Sequence, residues 1–382
     1  MINYKVNDNN KYLPAEGGTL SGDLNMSGRL IKNVASPVDD SDSITKKYVE
    51  ENFATQEDFS AIGILLSMNN IATVKVVNSL NKPLKGIQVS GMVDGQGDTV
   101  LTDENGIASG ICKNSTITLK LFPIDDITKD ITSIRGTTNK LLITLPSIEN
   151  KIVPITTSKS VQIAPITKTL DVCCIGGGGG GGGALHYTYI HEYQIGGDDT
   201  VHHEEIPYHF YGGGGGGGNI TNSINVSFTP YTSYQAVIGA GGSGSHADGC
   251  SSYTGKPESS TSNGNGGSGG TTTFMSIKAT GGGGGERGYN EPGYTNPTHL
   301  GKGGSSTNGG AGGDYGASGS SASLSIFNDG VTFYSGGGGG TSGSKSSNYG
   351  AGGSSGITYS SNINPNSIGN TGAVLLRLHE IT

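Results

Sequence analysis

Asp171-Val-Cys-Cys-Ile175 runs directly into eight consecutive glycines, Gly176–Gly183 (DVCCIGGGGGGGG). An apolar, strand-like run opening onto pure glycine is not linker chemistry, which interleaves serine and lacks apolar neighbours. The junction recurs, with further tracts at Gly212–Gly218, Gly281–Gly285 and Gly336–Gly340. Between them lie strand-like pieces: Ile224, Val226 and Phe228; Ala236, Val237 and Ile238; Phe274, Met275 and Ile277; Leu324, Ile326 and Phe327; Val331 and Phe333; Val374, Leu375, Leu376 and Leu378. The spacing is irregular, so no solenoid period applies. Without Cβ atoms, backbones approach more closely than any other residue permits. The reading therefore expects extended glycine helices of three residues per turn, packed side by side through N–H···O and Cα–H···O contacts. Ordering costs about 1–2 kcal/mol of backbone entropy per residue, so dense mutual hydrogen bonding is required.

The rest of the chain is a different material. Of 69 glycines in 382 residues, only 12 precede Gly176. Hydrophobic residues make up 32 % and charged residues 14 %, and Trp is absent. With 13 prolines and no G-x-y period, collagen is excluded. No apolar run reaches the ~18–20 residues of a membrane helix. The opening MINYKVNDNNKY lacks a signal-peptide pattern. A net charge of −8 with 23 Lys and Arg argues against nucleic acid. The expectation is no membrane insertion and no nucleic-acid partner. Cys112, Cys173, Cys174 and Cys250 show no CxxC spacing and read as small buried hydrophobes from a reducing cytoplasm.

Upstream, Leu20, Leu24, Met26, Leu30 and Ile31 are too few to close a core and call for pairing or docking. An Asp42-Ser43 N-cap followed by Ile44, Tyr48, Val49 and Phe53 predicts one or two amphipathic helices over 43–67. From Ile71 the period becomes two: Val74 and Val76; Ile87 and Val89; Ile117, Leu119 and Leu121; Leu141, Ile143 and Leu145. Such alternation, punctuated at Asn81-Lys82-Pro83 and Asp103-Glu104-Asn105-Gly106, predicts half-buried strands in a small antiparallel sandwich.

Three stretches resemble known modules. GGTLSGDLNMSGRLIKNVASPVDDSDSITKKYVE (17–50) is similar to a recurrent segment of tailed-bacteriophage tail fibres, with Asp42-Ser43 where that family carries Asp-Ala. NKPLKGIQVSGMVDGQGDTVLTDENGIASG (81–110) resembles prealbumin-like, Ig-like spacer modules. DVCCIGGGGGGGG, SFTPYTSYQAVIGAGGSG, GNGGSGGTTTFMSIKATGGGGG and GAVLLRLH, in that order, resemble the glycine-rich domain of phage tail fibres and tip adhesins. There Thr229-Pro230-Tyr231 stands where the family often has Pro-Gly. Together the resemblances imply a mainly β chain in three parts. Residues 1–68 form a trimerising fibre segment with short helices, 69–158 an Ig/prealbumin-like β-sandwich spacer, and 159–382 a glycine-rich receptor-binding domain of packed polyglycine II helices and strands. They further imply a homotrimer in the virion, bound to other tail or baseplate proteins through its N-terminus. Its receptor would be a bacterial cell-surface glycan, wall polymer or protein.

Recognition chemistry concentrates late. Fourteen of 17 tyrosines and all eight histidines follow Ile175, with only 12 acidic and 6 basic residues. Tyrosine offers contact area at low entropic cost, and its face stacks on sugar C–H patches. The richest stretch is Ala184–Tyr211, ALHYTYIHEYQIGGDDTVHHEEIPYHFY, read as a loop, with shorter loops at 245–262, 286–300 and 341–349. The candidate receptor-binding residues are Tyr187, Tyr189, His191, Tyr193, His202, His203, Tyr208, Tyr253, Tyr289, Tyr294 and Tyr349. His186, His191, His202, His203 and His209 lack zinc-motif spacing, so no metal or cofactor is expected. A hydrolase would need two carboxylates about 5–9.5 Å apart, and Glu192, Glu204, Glu205, Glu286 and Glu291 supply candidates. No GxSxG motif accompanies them, and the expectation is a non-enzymatic adhesin. The alternatives are a structural fibre segment and a capsule- or wall-degrading hydrolase.

Overall fold

In the computed structural model the chain divides into two compact units, Met1–Ser67 and Met68–Thr382. Residues 70–382 are described, apart from 95–96, 198–199, 246–247, 254–263, 289–300, 315–318, 326, 328–331, 337–346 and 355–364. The helices expected over 43–67 lie outside the described residues. What is described is mainly β.

Eight strands come first: β1 (Ile71–Val77), β2 (Gln88–Ser90), β3 (Met92–Val93), β4 (Thr99–Leu101), β5 (Ile107–Cys112), β6 (Thr116–Lys120), β7 (Ile127–Asp130) and β8 (Lys140–Thr144). They form two four-stranded sheets, ordered β3-β5-β1-β8 and β4-β2-β6-β7. All neighbours are antiparallel except β1 and β8, which run parallel. The predicted alternation sorts inward and outward residues here: Val74 and Val76 from one sheet, Val89 and Leu119 from the other, are fully buried in one core. The Asp103–Gly106 turn closes as its chemistry demands. The Asp103 carboxylate accepts the N–H groups of Asn105 and Ile107, both at 2.8 Å. Gly106 sits at φ +70°, where side chains are strained and a Cβ would strike the Val76 carbonyl.

Thirteen strands follow: β9 (Ile152–Ile155), β10 (Lys159–Gln162), β11 (Leu170–Ile175), β12 (Leu185–Gln194), β13 (Val201–Phe210), β14 (Ile220–Val226), β15 (Ser233–Val237), β16 (Asp248–Tyr253), β17 (Thr272–Phe274), β18 (Ile277–Ala279), β19 (Ser321–Ser325), β20 (Thr332–Gly336) and β21 (Ala373–Leu378). Their sheets are β10-β15-β17-β18, β14-β11-β21-β9, β13-β12-β16 and β19-β20. One hydrophobic core runs from Ala72 to Leu378 through both groups of strands. The run Leu170-Asp-Val-Cys-Cys-Ile175 is buried at all six positions because β11 is covered on both faces. Leu170, Val172 and Cys174 enter the main core, while Cys173 and Ile175 join Ile220, Phe327, Ala373 and Leu375 in a second cluster. Cys112, Cys173 and Cys174 are buried free thiols, and burial pushes Cys173 and Cys174 up to about 12.

The glycine tract that leaves β11 becomes an ordered rod. Its N–H groups turn in sequence to three different neighbours and return to the first after three residues. Gly176, Gly179 and Gly182 donate to Asn219, Gly216 and Gly213; Gly177, Gly180 and Gly183 to Gly270, Gly267 and Gly264; Gly178 and Gly181 to Asn370 and Ser367. Partner numbers fall as donor numbers rise, so these three segments run antiparallel to the rod. Its carbonyls accept from three others: Gly282, Gly285 and Gly288; Gly242 and Ser245; and Gly353. The first two of these run parallel. The rod at 176–183 is thus enclosed by six segments, each fastened by bonds of 2.7–3.0 Å. A period of three in the partners is the period of an extended three-residue helix.

Closeness explains the composition. A Cβ at Gly179 would collide with the Gly283 carbonyl, and one at Gly180 with that of Ser243. Each of these backbone collisions lies well inside the 3.0 Å that real Cβ atoms respect. The energetics explain why the rods occur as a lattice. Ordering costs about 1–2 kcal/mol per residue and a hydrogen bond returns about 0.5–1.5. Only a rod bonded through both its donors and its acceptors approaches balance, and that requires neighbours on all sides.

Candidate functional site

Immediately after Gly183 the chain leaves this lattice in a long hairpin. β12 and β13 pair antiparallel in unbroken register over ten residues each, from Leu185↔Phe210 to Gln194↔Val201. Ten residues at about 3.3 Å each give a ribbon of about 30 Å. This corrects the expectation of a loop over 184–211. His-Tyr-Thr-Tyr-Ile and Pro-Tyr-His-Phe are rich in aromatic and β-branched residues, which fit a pleated surface. Leu185 and Phe210 anchor the root as a small buried cluster with Tyr189 packed against them. β16 runs parallel to β12 on its other side, and β13 forms the sheet's edge.

Register decides which candidates come together. Antiparallel partners share a face, so Tyr189↔Ile206, His191↔Glu204 and Tyr193↔His202 line one side of the ribbon, and Tyr187↔Tyr208 is the next pair of the same register. β16 adds Tyr253, paired with Tyr189. Along this face the rings form a ladder. Tyr189 and His191 lie 6.2 Å apart at 37°, His191 and Tyr193 5.6 Å at 20°, Tyr193 and His202 5.6 Å at 23°. Stacked neighbours hold one another in fixed orientation, each pair worth about 0.5–1.5 kcal/mol beyond its burial. His203 falls on the opposite face, 3.5 Å from the Glu192 carboxylate, and both are exposed.

The remaining candidates lie elsewhere. Tyr349 is half-buried and packs against the cluster of Cys173, Ile175 and Phe327. Tyr289 and Tyr294 fall outside the described residues, as do most of 245–262, 286–300 and 341–349. Seven of the eleven candidates thus sit on one hairpin face or directly beside it.

A second polar constellation has no counterpart in the sequence reading. Cross-strand register places Asp171 of β11 opposite Arg377 of β21. The Asp171 carboxylate, 3 % exposed, accepts from Arg377 Nε at 2.9 Å and Nη2 at 2.6 Å, pairs with His379 Nε2 at 2.8 Å and accepts the Asn225 N–H at 2.8 Å. Arg377 also lies 4.7 Å over the Phe327 ring. Burial raises the Asp171 pKa, but the Asn225, His379 and Arg377 bonds outweigh it and hold the group below the ordinary carboxylate range. Glu149 is likewise lowered, chiefly by the Glu380 N–H. The cluster fastens the last strand and the C-terminal residues to the body; Glu380 reaches Ser79 and Ser147, and Asn78 donates to the Ile381 carbonyl. With every carboxylate engaged, it is a clasp rather than a reactive site.

Among the described residues, no group of three or more His, Cys, Asp and Glu is placed to hold a metal ion. No helix there is long and apolar enough to cross a membrane. Compared with models of protein families and with curated proteins, the chain finds no match.

Proposed function

We propose that this chain is a receptor-binding protein of a phage tail fibre, or of a phage tail-like particle, which attaches the particle to a bacterial cell surface. The observation that carries the reading is the aromatic hairpin, presented on a hydrogen-bonded glycine lattice. A rigid scaffold with an exposed Tyr- and His-rich ribbon is built for recognition, because little of the ribbon has to be ordered on binding. In this reading the glycine rods are polyglycine II helices, and the sandwich that precedes them is an Ig/prealbumin-like spacer. The first 68 residues join the chain to other tail or baseplate proteins. The particle carries it as a homotrimer, so weak contacts combine across subunits and fibres.

Labelled full-length protein, incubated with a panel of intact bacteria, tests this directly. It binds some strains and not others, and a variant with residues 189–206 replaced by Asn-Gly melts at the same temperature but no longer binds. A shortened variant that binds as well as the parent contradicts the reading.

A further inference from the structure

The ladder face of the hairpin offers a ligand ring edges rather than ring faces. His191 is stacked on Tyr193 and Tyr193 on His202, with Tyr189 tilted against His191, so the faces of the middle rings are taken up by one another. What they leave for a ligand are phenol oxygens and imidazole nitrogens, which accept hydrogen bonds as well as donate them. Successive rings are 5.6–6.2 Å apart, close to the length of one pyranose unit in an extended chain. The face is open along its length: His191, Tyr193 and Glu204 are exposed, and Tyr189 and His202 are half-buried.

Charge selects among such chains. Glu204 stands opposite His191 and is the one carboxylate that β12 and β13 place on the ladder face; Glu192 and Glu205 fall on the other face, where Glu192 meets His203. Residues 184–211 contain neither Lys nor Arg. The hairpin therefore has no permanent cation for a phosphate or a uronate, whereas a protonated amine finds a carboxylate beside acceptor-bearing rings. Resting on the attachment reading above, we infer that the ladder face binds a linear polysaccharide that carries free amino groups. Its sugars follow the rungs of the ladder, their hydroxyl groups bond to the ring edges, and an ammonium group meets the Glu204 carboxylate.

The test measures, by titration calorimetry on the full-length chain, binding of a glucosamine hexasaccharide and of its fully N-acetylated counterpart, which keeps the sugar chain and removes its charge. The amine form is expected to bind about tenfold or more tightly, the effect of one hydrogen bond between charged groups. Glu204→Gln removes that preference. Glu205→Gln, the same change of charge one residue along and on the opposite face, leaves it intact, and thermal melts confirm that both variants fold. On intact bacteria, protease shaving spares binding of the labelled protein, and acetylating the surface amines of shaved cells lowers it. No preference for the amine form, equal losses in the two variants, or cell binding that shaving abolishes overturns the amino-glycan while leaving attachment intact. A parent protein that binds the amine hexasaccharide but no strain in the panel overturns attachment alone; one that binds neither overturns both.

Discussion

Gly180 and Gly196 are the same residue, sixteen positions apart, in opposite physical situations. At Gly180 the missing Cβ lets three backbones meet: its N–H reaches Gly267, its carbonyl accepts from Gly285, and the Ser243 carbonyl occupies the space a methyl would need. At Gly196 the missing Cβ leaves open solvent. One glycine is a packing element and the other a turn residue. The difference shows that glycine answers to closeness in the rods and to turn conformation at the hairpin end, where Gly196 is free of any such demand while Gly197 beside it sits at φ +96°.

Substitution sharpens that contrast. Gly180→Ala forces a backbone carbonyl aside in the enclosed rod, an overpacking that costs about 3 kcal/mol or more. Calorimetry then shows a large fall in Tm or no cooperative transition. Gly196→Ala, by the same measurement, stays within about 0.5 kcal/mol of the parent. The clasp comes next in size. Asp171→Ala takes from Arg377 and His379 their shared buried carboxylate, leaving Arg377 to the Phe327 carbonyl and ring and His379 to Glu149, and costs about 3 kcal/mol.

Acid probes the same clasp. Because Asp171 and Glu149 have folded pKa values below their ordinary ones, their contribution is complete above the ordinary carboxylate range and is lost as pH falls through the folded values. Tm therefore drops below about pH 4, and Asp171→Ala flattens the drop. Leu185→Ala, at the hairpin root, costs about 2 kcal/mol, the low end for a buried leucine because its cluster is small. It raises amide exchange in β12 and β13 while leaving the rods protected.

The strands with clean period-two alternation were legible. Val74 and Val76, Ile87 and Val89, and Ile117, Leu119 and Leu121 all turn inward where the pattern puts them. The hairpin was harder to read because its apolar positions are tyrosine and histidine, which composition assigns to a polar loop. The signal was present: two β-prone runs separated by a Gly-Gly-containing turn, as hairpins commonly are. Asp171 had no local sign, since its partners Arg377 and His379 lie more than 200 positions away. Order in the glycine tracts follows from their apolar junctions, but which of the six segments meets which donor depends on the whole topology.

Residue-resolved amide hydrogen exchange over Gly176–Gly183, with β11 and the Gly196-Gly197 turn as references, tests the central claim most directly. The lattice predicts rod amides protected to the same degree as those of β11, with the turn exchanging orders of magnitude faster. Rod amides that exchange as fast as the turn would make the tracts linkers and remove the rigid scaffold on which the hairpin's role depends.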